Sequence, residues 1–173
     1  MRLIRYITGA IDRLNAVAGE LACWMIFLMV LFTITDVLLR YLFSAGSVVF
    51  QEMEWHLYAA NFLLAAGWTM KQNGHVRIDF VSHRFGPKTQ ALIDILGTIV
   101  FCIPFCLIVI WAGSRFFHNA WSIKEMSDAP GGLPARYILK GFIPLGFSLI
   151  LLQSIAELVR NVRTLAGKSE MTS

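Results

Sequence analysis

The chain has 173 residues and is 57% hydrophobic but only 15% charged, against roughly 45–50% apolar and 25% charged in soluble domains. A mean hydropathy of +0.63 excludes an ordinary soluble globular domain. The net charge of +4 is then a question of where Lys and Arg lie along a membrane chain, and nucleic acid is not an expected partner.

A bilayer core about 30 Å thick takes about 20 mostly apolar helical residues, and four stretches qualify. The first runs over about 21–43, after Arg2, Arg5 and Arg13. Ser44, Ala45 and Gly46 are small enough for a leader-peptide cleavage site. The apolar run is longer than a signal-peptide core, however, and it carries Asp36 and Arg40, so it is expected to stay as an anchor. Asp36 and Arg40 are four residues apart and share a helix face. Each alone at a helix centre costs about 2.5–3.5 kcal/mol. They are a candidate intramembrane ion pair, or an end-of-helix pair that snorkels to the interface.

The second span covers about 54–70. Glu52, Glu54 and His56 crowd its start, Ala59, Ala66 and Gly67 offer a small-residue face, and Asn61 can hydrogen-bond across helices. These polar positions read as helix–helix glue or as a surface for another protein. The stretch "MKQNGHVRIDFVSHRFGPK", 70–88, holds Lys71, Arg77, Arg84 and Lys88 against one acid, Asp79. Gly74 permits a turn. Asp79 can cap a short helix over 80–85, which Gly86 and Pro87 end. An interfacial segment over about 73–86 is expected, with Phe80 dipping into the membrane and Arg77, Arg84 and Lys88 meeting lipid phosphates.

The third span covers about 92–116, with Pro104 as its expected kink, and the fourth about 138–159, with Pro144 near its start. The connection between them is too long for a simple turn. It carries Trp121, a natural interfacial anchor, and Lys124, Glu125 and Asp128, which together with Glu52, Glu54, His56 and Asn61 form the candidate partner interface. A flexible tail is expected over about 164–173. Ten Lys and Arg lie at the two ends and in 70–88, against five on the other side. The positive-inside rule therefore puts both termini and the 70–88 stretch in the cytoplasm. The expected fold is an all-α integral membrane protein: one domain of four transmembrane helices with a short cytoplasmic interfacial helix.

Little in the chain points to chemistry. Cys23, Cys102 and Cys106 all fall in apolar runs without a CxxC pair and read as small fillers. HExxH, GxSxG and Walker patterns are absent, so no catalytic, cofactor or metal residues are assigned. His56 and His118, near the outer ends of two spans, leave one alternative: a haem-binding membrane anchor of a respiratory oxidoreductase.

Three stretches carry a family resemblance: "DVLLRYLF" at 36–43, "QEMEWHLYAANFLLAAGWTMKQNGHVRIDF" at 51–80, and "KEMSDAPGGLPARYILKGFIPLGFSLILLQSIAEL" at 124–158. With the "GHVRID" element at 74–79 they resemble the DctQ-like small membrane subunit of tripartite ATP-independent periplasmic (TRAP) transporters. The last stretch is similar to the subgroup associated with mannitol or chloroaromatic compounds and with 2-oxo acids or lactate. The resemblance implies a non-catalytic permease subunit of the bacterial inner membrane. Its implied partners are a large elevator-type (DctM-like) membrane subunit, for which it is a scaffold, a periplasmic solute-binding protein, met transiently, and membrane lipids. An organic acid would be carried by the large subunit, with sodium bound there and not on this chain.

Overall fold

Runs of Ala, Leu, Ile and Phe favour helix in lipid, where every backbone N–H and C=O must find its partner within the segment. The computed structural model describes residues 2–72 and 86–166. Its elements are α1 (Arg2–Phe43), α2 (Val48–Lys71), α3 (Pro87–Gly97), a π-helical turn (Thr98–Cys102), α4 (Ile103–Ser122) and α5 (Tyr137–Leu165). No strand occurs among the described residues. The segment at 73–85 lies outside them, and with it the expected interfacial helix and Arg77, Asp79, Phe80 and Arg84; so does the tail beyond 166.

The first helix is longer than expected. It begins at Arg2, well ahead of the apolar stretch at about 21–43, and its 42 residues extend about 63 Å, twice a bilayer core. The amino-terminal part stays helical because it keeps a packed face: Thr8, Asn15, Ala18 and Ala22 are all buried, on one side of the helix. The disturbance expected at Pro104 takes the form of the π turn. Pro104 has no N–H, and its ring crowds the carbonyl of Val100. The preceding turn widens, and the Ile103 amide bonds back five residues to Thr98. Pro144 is carried inside α5 without a break.

The helices run up, down, up and down. α1 packs on α2, α2 on α5, and α5 on α3 and α4, so α5 is the common neighbour. The core is built of small side chains: Ala18 and Ala22 of α1 meet Leu64 of α2 and Leu149 of α5. The closest approach of a glycine to a neighbouring helix's main chain is at Gly146, where a Cβ would lie 2.7 Å from the Leu63 carbonyl oxygen. Of the expected small face on α2, Gly67 is buried, while Ala60 takes the place given to Ala59. The large apolar side chains point the other way. Trp24, Phe27, Phe101 and Phe105 are more than half exposed, the inverse of a water-soluble core.

Three helices are long and apolar enough to cross a membrane: Ile4–Phe43, Lys88–Ser122 and Tyr137–Leu165. α2 is 24 residues long, enough for about 36 Å, but Gln51, Glu52, Glu54, His56 and Asn61 lower its apolar content below theirs.

Candidate functional site: polar clusters at the two ends of the bundle

One cluster closes the end where α1 and α5 meet the carboxyl end of α2. Asn15 and Gln153 are fully buried. The Asn15 side-chain amide donates to Gln153 Oε1 at 2.9 Å, and Gln153 Nε2 donates to Asp12 Oδ1 at 3.3 Å. Arg160 pairs with the other oxygen of Asp12. Lys71 Nζ reaches the Asp12 main-chain carbonyl at 3.3 Å. The set crosses three helices and neutralises its one carboxylate. Asn15 Oδ1 is buried without a hydrogen bond. It rests against Gly67, whose missing side chain leaves the space for it.

A second cluster closes the opposite end. The Glu52 carboxylate, ahead of the apolar stretch of α2, accepts from the Ser127 hydroxyl and from the Leu133 amide at 2.6 Å. Those two hydrogen bonds, Ser127 first, hold its carboxyl below the ordinary value of 4.5. The connection 123–136 is folded back on itself by Ser127 N–H to Leu133 O at 3.2 Å and Arg136 N–H to Glu125 O at 3.0 Å. Glu125 pairs with Lys140 at the start of α5. Trp121 packs edge-on to Tyr137 with centroids 4.9 Å apart. The connection is thus tied to α2, α4 and α5 together.

The two clusters are spaced like the two faces of a bilayer. Glu52 to Lys71 is 19 residues and Lys140 to Arg160 is 20 residues, about 29 and 30 Å of helix. Between them the packed faces are nearly apolar. Among the described residues there, Ser154 is a fully buried polar side chain: it donates to the Ile150 carbonyl at 2.8 Å and lies 3.0 Å from Cys102 Sγ.

The positions marked in the sequence divide accordingly. Glu52 and Glu125 have partners inside the chain. Asp128 is an exposed carboxylate with Arg136 at 3.4 Å, and Lys124 is exposed. Glu54 and Asn61 are half-buried. The cross-helix amide role expected of Asn61 belongs to Asn15. Asp36 is 4% exposed and pairs with Arg40, while its Oδ1 is buried without a hydrogen bond. Lys88 is exposed near the start of α3.

His56 Nδ1 lies 2.6 Å from the Glu52 carbonyl oxygen. His118 is exposed on α4, and α5 packs between α4 and α2, so the two histidines do not face each other as axial ligands would. Among the described residues no three His, Cys, Asp or Glu side chains gather as a metal site. Asp12, Asn15, Gln153 and Arg160 were not singled out by sequence; the signal was present as polar side chains on otherwise apolar helix faces.

Apolar helices of membrane-crossing length, fastened by polar clusters at both ends, define a multi-pass membrane protein. A sequence profile of the DctQ component of tripartite ATP-independent periplasmic transporters matches residues 29–164, and the chain belongs to that family. A Haemophilus influenzae protein described as a TRAP transporter small permease protein is 26% identical over 117 residues, covering 67% of this chain and 73% of that protein.

Proposed function

We propose that this chain is the non-catalytic small subunit of a TRAP transporter of the bacterial inner membrane, and that it acts as a scaffold for the large membrane subunit. The observation that carries this reading is the pairing of the polar groups that lie between its helices. In the bundle they are used to hold helix to helix, as at Asn15–Gln153 and Glu52–Leu133, rather than to line a passage. A rigid bundle with outward apolar faces suits a static element against which another subunit moves.

In this reading α2 is the fourth span, since it is long enough and packs between α1 and α5. Both termini and 70–88 lie in the cytoplasm, by the distribution of Lys and Arg. Arg77, Asp79, Phe80, Arg84 and Lys88 anchor one face of the membrane and Trp121 the other. The solute-binding protein docks transiently on the outer side, where Asp128 and Lys124 remain exposed. The solute is an organic acid, by likeness of 124–158 to the 2-oxo acid and mannitol/chloroaromatic subgroup, and sodium couples its movement on the large subunit.

Deletion of the chain, followed by growth on a panel of organic acids as sole carbon source, tests this. Growth on at least one acid is expected to fail, to return with the wild-type chain, and not to return with Arg77→Gln/Asp79→Asn. Unchanged growth and uptake across the panel would refute the reading.

A further inference from the structure

We propose that the outward face of α4 binds the phosphate headgroup of a phospholipid, in the leaflet on the side of the 123–136 connection. α4 turns Cys106, Gly113 and Ala120 into the bundle. On its far side Trp111, Ser114, Arg115, His118 and Asn119 line an open groove of about 610 Å³. All five side chains are exposed. The Arg115 guanidinium lies over the Trp111 ring, 4.5 Å from its centroid, which holds its fork in place. Among the described residues no carboxylate pairs with Arg115. The groove therefore offers an unneutralised cation beside hydroxyl, amide and imidazole donors, a set that suits an anion.

Depth and shape name the anion. Gly113 abuts Ile143 and Pro144, and Gly141 abuts Phe117, so Arg115 sits beside residues 141–144 of α5. Lys140, one turn away, marks the polar edge of the bundle, with its ammonium 3.9 Å from the Phe116 centroid. Arg115 thus lies at headgroup level. Phe101, Ile108 and Arg115 recur at intervals of seven residues and share one face. Phe101 and Ile108 are 74% and 64% exposed. One continuous face is apolar at acyl depth and cationic at headgroup depth, which is the profile of a phospholipid. An acidic protein segment would need the cation but not the apolar lane beneath it. An unpartnered arginine facing lipid is costly, and a phosphate at this level removes that cost.

The full-length chain in maltoside detergent, examined by native mass spectrometry with dioleoylphosphatidylglycerol, dioleoylglycerol or inorganic phosphate, tests the site. One phosphatidylglycerol per chain is expected, with about tenfold weaker retention in Arg115→Gln and little change in Arg136→Gln. Circular dichroism is expected to show unchanged helicity in both variants. Equal retention by wild type and Arg115→Gln, or equal binding of dioleoylglycerol, would overturn the proposal. Displacement of the lipid by millimolar phosphate would instead identify a free-anion site and also overturn it. So would unchanged lipid retention in Arg115→Gln with loss of a co-purifying protein, since the face would then be a protein interface. The arms with unaltered chain need no variant to fold.

Discussion

Asn15 and Gln153 lie 138 residues apart in sequence and meet amide to amide at full burial. A buried polar group without its partner costs about 1–3 kcal/mol. Asn15→Ala removes the donor to Gln153 and is expected to lower the thermal unfolding midpoint in detergent. The Asn15→Ala/Gln153→Leu double variant is expected to lose less than the sum of the single changes, because both buried groups go together. Strict additivity would contradict the contact. Glu52 makes a pH-dependent link. Its carboxyl titrates below the ordinary 4.5 in the folded chain, so its contribution is present above that value and is lost as pH falls through the lower, folded one. Protection of the Leu133 amide from hydrogen exchange, corrected for intrinsic rate, is expected to persist at neutral pH and disappear on strong acidification. In Glu52→Ala it is expected to be weak throughout. These residues were legible only in part: a polar side chain on an apolar helix announces an interhelical bond, but not the partner a hundred residues away. The Asp36–Arg40 pair was legible because its two members are four residues apart on one helix.

At the scale of elements, composition and apolar run length located the helices, because lipid leaves backbone polar groups no other way to be satisfied. The start of α1 was not legible, since residues 2–20 are polar enough to read as a flank and are helical because one face packs. The π turn was half legible: Pro104 marked the place but not the form. The α2–α5 contact depends on Gly146. Gly146→Ala sets a Cβ against the Leu63 carbonyl, and overpacking of this kind costs about 1–3 kcal/mol. A lower unfolding midpoint is expected, and an unchanged one would mean that the helices stand farther apart. Whether α2 crosses the membrane is decided by labelling. Both Gln72 and Asp128 are exposed. With Cys23, Cys102 and Cys106 replaced, an impermeant maleimide added to spheroplasts is expected to label Asp128→Cys and not Gln72→Cys. Labelling of both from that side would show that α2 does not cross.

Across the described residues the molecule is a bundle whose buried amides and the Glu52 carboxylate are tied up at its two ends and whose large apolar side chains are turned outward. In the proposed reading those outward apolar side chains are the surface that stands against another membrane subunit. Membership of the DctQ family gives that surface its context, and the occupant proposed for it is a large transporter subunit. The direct measurement is to tag the carboxyl terminus, extract native membranes in mild detergent and identify what is recovered in fixed proportion. A large polytopic transporter subunit at equal stoichiometry is expected. A chain recovered alone, or with haem and a dehydrogenase, would contradict it.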